Sequence, residues 1–154
     1  MPAHSETRTL PYSARQMYDL VADVARYPEF IPWTTAARIR SVTPEGDAKV
    51  MLADLVVGFK MFRERFLSKV TLWETQRRID TEYIEGPFQH MLSTWEFVDV
   101  EGGCEVRFKV DFEFRNRILQ KAAGLFFFDA MQRIVRAFEA RAVEIYGAEN
   151  RALA

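Results

Sequence analysis

Hydrophobic and polar residues alternate along most of the chain between residues 34 and 114. The clearest example is the stretch 106–114, in which apolar residues at every second position are separated by charged ones. A period of two is typical of β-strands that bury one face. Turn signals such as Pro44-Glu45-Gly46-Asp47 divide the region into strands predicted at residues 36–43, 48–57, 61–73, 77–84 and 88–99, with a last strand ending at Phe114. We therefore predict an antiparallel sheet with one face in water.

The pattern changes to helical spacing in the segment 115–147. Its apolar residues recur at intervals of three and four and comprise Leu119, Ala122, Phe126, Phe127, Met131, Ile134, Val135, Phe138, Ala142 and Ile145. Asn116 is predicted to cap this helix, and Gly147 to end it, because glycine adopts the left-handed conformation without steric cost. Asp129 and Arg133 are spaced to form an ion pair on its exposed side. About thirty residues at roughly 1.5 Å each give a helix long enough to cross a small sheet.

The residues before position 34 predict three shorter elements. Residues 4–10 form a strand, and Ser13 with Gln16 has the S-x-x-Q pattern of a capping box at the start of a helix over residues 14–24. Pro28 and Pro32 exclude a long helix after it, because each lacks an N–H and restrains the residue before it. One helical turn or an irregular loop is therefore predicted there.

This order of elements predicts an α+β fold. One strand, short helices, six strands and one long amphipathic helix are most simply arranged as a curved sheet of six to seven strands wrapped around the long helix. We predict a single domain over residues 1–150, followed by a disordered tail over residues 151–154. Such a sheet often leaves a space between itself and the helix, and this space is the predicted ligand site.

Composition narrows the classes of function. The formal net charge of −1 gives no general attraction to nucleic acid, and DNA is not predicted as a partner. The single cysteine, Cys104, excludes an internal disulfide and is typical of a reducing compartment. The polar N-terminus lacks a signal-peptide pattern, and the longest apolar run, residues 122–128, is far shorter than a bilayer requires. A cytoplasmic protein is predicted, with peripheral contact at the inner membrane left open.

The sequence contains no motif for catalysis or for a resident metal. Its two histidines, His4 and His90, do not form a metal-ligating pattern, and no glycine-rich phosphate loop or nucleophile elbow is present. His90 is predicted as a surface residue on the sheet face opposite Trp95. Cys104 is interpreted as structural or incidental, since no base is spaced to it. We therefore predict a protein that is not an enzyme and requires no cofactor.

A series of short motifs runs through almost the whole chain. They are Val21-Ala22-Asp23-Val24, Tyr27-Pro28-Glu29-Phe30-Ile31-Pro32-Trp33, Ala53-Asp54-Leu55, Val57-Gly58-Phe59, Glu64-Arg65-Phe66, Gly86-Pro87-Phe88, Trp95-Glu96-Phe97, Phe126-Phe127, Ala137-Phe138-Glu139-Ala140-Arg141 and Tyr146-Gly147. In order and spacing they resemble the coenzyme Q-binding protein family, a branch of the START-like, polyketide cyclase-like superfamily with the helix-grip fold. Thr34 departs from the pattern, since many relatives have Cys there.

The resemblance implies a hydrophobic cavity between the sheet and the C-terminal helix that binds ubiquinone or a related isoprenoid lipid. The protein would then be a non-catalytic quinone chaperone or carrier that supports respiratory electron transport. A bacterial branch is described as a ribosome-association toxin that binds the large ribosomal subunit, and the motifs do not separate the two branches. A small cyclase or hydrolase on the same fold is a second alternative.

The residues predicted to line the cavity are Phe30, Trp33, Leu55, Phe59, Glu64, Phe66, Trp95, Phe97, Phe127, Met131 and Ile134. Any one of the rings taken alone is better interpreted as plain core, but together they could enclose an isoprenoid tail and stack on a quinone. Glu64 alternates onto the predicted core face, where it could anchor a head group, pair with an arginine, or lie at a wetted cavity mouth. Asp54 is expected on the surface.

Three consecutive rings, Phe126-Phe127-Phe128, cannot all face one sheet, because successive helical residues point about 100° apart. At least one is expected to meet solvent, the loop at Trp33, a partner chain or a membrane. The basic residues Arg115, Arg117 and Lys121 precede these rings and could assist a transient contact with anionic lipid.

Overall fold

The computed structural model describes the backbone of residues 3–59 and 62–153. Within these ranges it describes all side chains except those of residues 59, 62, 119, 122–128 and 148–153. The predictions for the side chains of Phe59 and of Phe126-Phe127-Phe128 therefore lie outside the described residues.

Within the described residues, the chain forms seven strands, two α-helices and one short 3₁₀ segment. In chain order they are β1 (Ala3–Leu10), α1 (Ala14–Ala22), the 3₁₀ segment (Val24–Glu29), β2 (Thr34–Glu45), β3 (Ala48–Phe59), β4 (Phe62–Trp73), β5 (Arg78–Glu85), β6 (Phe88–Val100), β7 (Gly103–Phe114) and α2 (Arg117–Leu153). This order confirms the predicted α+β class of the helix-grip type.

The seven described strands form one antiparallel sheet in the order β1-β7-β6-β5-β4-β3-β2. From β2 to β7 each strand pairs with its neighbour in sequence, whereas β1 joins the far edge by pairing with β7. One face of the sheet, which we call the core face, carries the buried residues Met51, Val70, Ile79, Trp95 and Phe108. The opposite face is called the outer face.

The capping box predicted for α1 is confirmed. The Gln16 N–H donates to Ser13 Oγ at 3.0 Å, and the Ser13 N–H donates to Gln16 Oε1 at 2.9 Å. The helix therefore begins where Ser13 satisfies its first free amides. The single helical turn predicted around Pro28 is the 3₁₀ segment. Within it, the Tyr27 hydroxyl donates to the Val21 carbonyl at 2.5 Å, which ties the segment to the end of α1.

Helix α2 begins as predicted but ends later. The Ile118 N–H donates to Asn116 Oδ1 at 2.8 Å, which confirms Asn116 as the cap. The helix then continues through Gly147 to Leu153, so the predicted end at Gly147 is wrong. Residues 151–153 are part of this helix, and the division of the chain into one domain and a tail remains a prediction. A glycine inside a helix costs only about 1 kcal/mol relative to alanine, and good helix formers follow Gly147.

The buried side of α2 also differs from the prediction near its end. Phe138 and Ala142 are buried as expected, but Ile145 is 44% exposed. Tyr146 takes its place, because steps of four from Phe138 and Ala142 lead to position 146 along one row of the helix. The Tyr146 hydroxyl donates to the Gln16 carbonyl at 3.0 Å and so holds α2 against α1.

Candidate functional site

A first group of rings packs over the middle of the core face. This group, called the Phe138 cluster, consists of Tyr27, Phe30, Trp95, Phe97, Phe108 and Phe138. Phe138 is 4% exposed, and its ring centre lies 5.2 Å from that of Trp95 and 5.4 Å from that of Phe30. The predicted cavity residues Leu55, Met131 and Ile134 are half-buried and pack against the same core. The structure thus brings six of the predicted residues together, as core.

Little space remains inside the Phe138 cluster. A cavity of about 20 Å³ is lined by Leu10, Met17, Trp95, Val106, Phe108, Val135 and Phe138, with Glu6, Arg8 and Glu139 at its polar side. A volume of this size holds a single water molecule. The core around Phe138 is therefore closed to a ligand as large as a quinone ring.

A second group of rings lies at the end of the core face where β6 begins. This group, called the Phe88 cluster, consists of Phe66, Tyr83, Phe88, Phe112 and Phe114. The ring of Phe88 stacks on Phe114 at 4.8 Å and meets Phe66 edge-on at 5.5 Å. Phe112 is buried, whereas the other four residues are half-buried. These rings present an apolar surface that is covered only in part.

The turn between β5 and β6 fixes the position of this cluster. Gly86 has φ +147°, and a Cβ at that position would lie 2.6 Å from the Cβ of Phe66. Only glycine allows such a close approach. The Tyr83 hydroxyl donates to the Gly86 carbonyl, and the Arg115 Nε donates to the Phe88 carbonyl at 2.9 Å. The turn is therefore held at the base of the cluster from both sides.

Trp33 lies at the same end of the sheet, at the entry into β2. It is half-buried and has φ +67°, a backbone conformation that is uncommon for a residue with a large side chain. Its carbonyl accepts a 2.8 Å hydrogen bond from the Gly58 N–H near the end of β3. Strained backbone of this kind often occurs at functional sites. The role predicted for Trp33 as a cavity residue remains a prediction.

Between the two clusters the core face carries small hydroxyl side chains. Thr81 of β5 pairs directly with Ser93 of β6, and its partner on the other side is Val70. Ser68 of β4, two residues from Val70, is therefore diagonal to Thr81 on the same face. Thr81 and Ser93 are half-buried although they lie on inner strands of the sheet. Ser68, Thr81 and Ser93 are called the hydroxyl row, and they provide polar atoms on an otherwise apolar face.

An ion-pair network between β1 and α2 was missed by the reasoning from sequence. Arg8 donates to Glu6 Oε1 at 2.8 Å and to Glu139 Oε1 at 2.6 Å, and it also reaches Gln132. The side chain of Glu6 is 14% exposed. The sequence contained one signal for this network. His4, Glu6 and Arg8 alternate with exposed residues in β1, which places them on the same face as Leu10.

Electrostatics in this network favours the charged forms. Burial alone would raise the pKa of the Glu6 carboxyl, but hydrogen bonds from Arg8 and His4 outweigh it, and the pKa lies below its usual 4.5. Burial also opposes the charge of Arg8, yet Glu6 and Glu139 raise the pKa of its guanidinium above the ordinary value. The network therefore links the edge strand to the helix by charged groups at neutral pH.

Glu64 lies on the predicted face of the sheet, close to the end of that face. It pairs with Val57, keeps the alternation toward the core face and is exposed, which agrees with the wetted position among the three alternatives. The reason for its exposure is its position at the third residue of β4, where the sheet ends. No ion pair joins Glu64 to another residue in the described part of the chain. Its role as a ligand anchor remains a prediction.

Asp54 is the buried carboxylate in place of Glu64. It was expected on the surface, but it is 6% exposed, and its Oδ2 accepts a 2.5 Å hydrogen bond from Arg40 Nε. The pairing of β2 with β3 shifts register between Ile39 and Ser41, and Arg40 lies at this shift. The irregularity brings the guanidinium beside the carboxylate, and alternation alone cannot predict it.

The described residues offer little for catalysis. They contain no group of three or more His, Cys, Asp or Glu side chains that could hold a metal ion. His90 lies on the outer face, opposite Trp95 as predicted, with its Nε2 3.2 Å from Asp111 Oδ1. Cys104 is fully buried, and burial together with Asp99 raises the pKa of its thiol to about 11. A buried, protonated thiol is a poor nucleophile.

The described helices lack the features of membrane spans. None of them combines the length and the apolar character that crossing a bilayer requires.

Comparison with known proteins agrees with this architecture. Residues 10–139 match the family model described as polyketide cyclase / dehydrase and lipid transport. The chain belongs to this family. The family includes lipid-binding and polyketide-binding proteins of the START-like fold, which confirms the resemblance seen in the sequence.

Individual relatives are named for two different roles. The ribosome association toxin RatA of Rickettsia prowazekii is 37% identical over 148 residues, which cover 94% of this chain and 99% of the relative. The mitochondrial coenzyme Q-binding protein COQ10 homolog B of Xenopus laevis is 33% identical over 156 residues, which cover 98% of this chain and 62% of the relative. The solution structure of the 18 kDa protein CC1736 from Caulobacter crescentus is 32% identical with a TM-score of 0.80, and the match covers 96% of this chain and 99% of that one.

Proposed function

We propose that this protein binds an isoprenoid quinone, or a lipid of similar shape, between its sheet and α2 and does not change it chemically. The observation that carries the proposal is the half-buried Phe88 cluster on the core face. Partly exposed rings gathered in one place often mark a binding surface, and here they border the layer between sheet and helix. An apolar ring with a long tail is the ligand that such a surface fits.

The arrangement of the two clusters supports binding at one end only. The Phe138 cluster encloses about 20 Å³, which leaves no room for a ring. The Phe88 cluster offers ring faces and edges on which a quinone can stack, and each favourable aromatic contact contributes about 0.5–1.5 kcal/mol beyond its buried area. The ligand would therefore enter at the end of the sheet that carries Trp33, Gly86 and Phe88.

The relative named as a coenzyme Q-binding protein adds support for this ligand class, since its match covers 98% of the chain. In this function the protein is a carrier or chaperone that shields the quinone from water. The described residues supply rings, hydroxyls and ion pairs. Among them there is no group of three or more His, Cys, Asp or Glu side chains that could hold a metal ion. Binding without chemistry is the function that these residues suit.

Extraction of lipids from protein purified in its native host tests the proposal. Mass spectrometry is expected to detect an isoprenoid quinone in organic extracts of the native protein, in excess over extracts of a Phe88→Ala variant purified in parallel. Titration of ligand-free protein with decylubiquinone should then quench tryptophan fluorescence with saturation. Absence of quinone from the extract together with no saturable quenching would rule the function out.

Association with the ribosome is the second candidate. Relatives named as ribosome association toxins match 94% and 96% of the chain at 37% and 36% identity. Three exposed arginines, Arg38 of β2 and Arg63 and Arg65 of β4, lie on the outer face on either side of β3, and no ion pair holds them within the described residues. Although the net charge is −1, such a local basic surface could contact phosphates of ribosomal RNA.

Sedimentation with purified large subunits tests this candidate. If it holds, the protein is expected in the subunit pellet at low salt, and the triple variant Arg38→Gln/Arg63→Gln/Arg65→Gln should remain in the supernatant. A matched triple variant of exposed basic residues elsewhere, Lys49→Gln/Arg133→Gln/Arg136→Gln, should pellet like the wild type. Failure of the wild-type protein to pellet at low salt would exclude the ribosomal role.

A further inference from the structure

The hydroxyl row contains one buried oxygen atom that lacks a hydrogen-bond partner within the described part of the chain. Ser68 is 1% exposed, and its Oγ has no hydrogen-bond partner within the described part of the chain. A buried hydroxyl without a partner is unfavourable, and proteins normally satisfy such groups. Its neighbours across the strands are Ala53 and Tyr83, and the hydroxyl of Tyr83 is already used by the Gly86 carbonyl. An alanine in place of Ser68 would pack equally well.

The position of Ser68 relates this unused donor to the Phe88 cluster. Ser68 lies two residues after Phe66 in β4, so both side chains are on the core face about one strand repeat apart. Phe66 contacts Phe88 edge-on, and Tyr83, which pairs with Ser68, contacts Phe88 as well. A flat ring placed against these aromatic residues would have an edge near Ser68, and it would reach the buried hydroxyl by displacing the side chains that cover it.

We propose that Ser68 is a ligand-binding residue that donates a hydrogen bond to a ring carbonyl oxygen, with Thr81 and Ser93 as polar neighbours for a second oxygen. The inference rests on the proposed function and makes it more specific, since it selects ligands whose ring carries hydrogen-bond acceptors. A hydroxyl can donate to a carbonyl, whereas a purely hydrocarbon ligand would leave it unsatisfied. The row therefore distinguishes quinones from hydrocarbon lipids of the same shape.

Substitution of Ser68 separates this role from a structural one. In Ser68→Ala the ligand-free protein is expected to melt at the wild-type temperature or slightly above it, because a buried hydroxyl without a partner is removed. The dissociation constant for decylubiquinone should rise roughly three- to tenfold, the effect of one lost hydrogen bond. Ser68→Cys nearly preserves the volume and replaces a good donor by a weak one, so it should weaken binding similarly.

Two controls make the result specific. Ser41→Ala removes a hydroxyl from an exposed position of β2, opposite Leu52, and should change neither the melting temperature nor the affinity. Decylbenzene, which has a ring and a tail but no acceptor, should compete with a fluorescent apolar dye equally well for the wild type and Ser68→Ala. All three variants and the wild type are measured as the full chain.

The outcomes distinguish the inference from the function on which it rests. If wild type binds decylubiquinone and Ser68→Ala binds it equally, the inference is wrong and the proposed function stands. A clear fall in the melting temperature of Ser68→Ala with unchanged affinity would assign Ser68 to stability and overturn the inference. If Ser68→Cys keeps full affinity, the hydroxyl is not the donor. If the wild type binds neither probe, the proposed function itself fails.

Discussion

The Phe138 and Phe88 clusters are built from the same kind of residue on the same face of one sheet, yet they differ in closure. Around Phe138, rings from β6, β7, the 3₁₀ segment and α2 meet from several directions, and Phe138 itself is 4% exposed. Around Phe88, the rings come from β4 to β7 and from no other described element, and most are half-buried. One cluster is enclosed on all sides, and the other is built mainly on the sheet.

Under the proposed function, this difference gives the two ends of the core face separate tasks. Enclosed rings contribute their full transfer free energy and stabilise the fold. Rings packed from one side contribute less to stability, but they keep an apolar surface available to a ligand. Substitutions in the Phe138 cluster should therefore reduce stability more than binding. Substitutions in the Phe88 cluster should reduce binding more than stability.

The largest effect is expected for Phe138→Ala. Removal of a ring enclosed by Tyr27, Phe30 and Trp95 leaves a cavity that the neighbours cannot fill, and the free energy of unfolding should fall by about 3–5 kcal/mol. Urea denaturation followed by circular dichroism measures the loss. Val143→Ala on the same helix, at a residue 53% exposed, is the control and should change stability little. A loss below 1 kcal/mol for Phe138→Ala would contradict the closed character of this cluster.

Phe88→Ala is expected to cost less stability and more affinity. The ring is half-buried, so the free energy of unfolding should fall by about 2 kcal/mol, less than for an enclosed ring. Loss of a stacking surface should weaken decylubiquinone binding about fivefold or more. Ile84→Ala, at an exposed residue of the neighbouring strand β5, should alter neither quantity by much. Equal affinity of Phe88→Ala and wild type would remove this cluster from the binding site.

The ion-pair network beside the Phe138 cluster is expected to give a smaller, pH-dependent effect. The pKa of Glu6 is lowered in the folded protein, so its charged form stabilises the fold above the usual pKa of 4.5. This contribution is lost as the pH falls below 4.5 and through the lower folded value. Glu6→Gln should cost about 1 kcal/mol at pH 7 and flatten the fall in stability on acidification. If the melting temperature of Glu6→Gln falls on acidification as steeply as that of the wild type, the network does not contribute to the stability of the fold.

Thiol labelling gives the smallest expected signal. Cys104 is buried near the first cluster, and its thiol pKa is raised to about 11, so iodoacetamide at pH 8 should not modify the native protein. In the Cys104→Ala background, Phe88→Cys should be labelled within the time that leaves Cys104 untouched. Decylubiquinone should slow that labelling. Rapid modification of native Cys104 would mean that the closed end opens readily.

Much of the fold could be predicted because it depends on local pattern. The alternation in β7, the capping box of Ser13 and the cap of Asn116 involve residues at most a few positions apart, and each was confirmed. The end of α2 was predicted wrongly because the helix continues through Gly147, although glycine usually favours helix ends. A helix end depends on what packs around it as well as on its own residues.

The polar part of the candidate site was harder to predict, because it depends on irregular pairing and on neighbours distant in sequence. Alternation gave the correct face for Glu64, but burial also depends on how close a residue lies to the end of the sheet. Asp54 is buried through Arg40, which a register shift in β2 brings beside it. Arg8 and Glu139 are 131 positions apart, and no local pattern joins them.

The pairing of β1 with β7 has a consequence for how the protein folds. Ala3 pairs with Asp111 and Leu10 with Cys104, so the first strand finds its place only after nearly the whole sheet has been made. The meander from β2 to β7 needs only contacts between neighbours, which form faster than contacts between distant segments. We expect β1 and α2 to join last during synthesis, which exposes the core face of the nascent chain until α2 has emerged. Pulsed hydrogen exchange during refolding should protect the amides of β3 and β4 before those of β1; simultaneous protection would contradict this order.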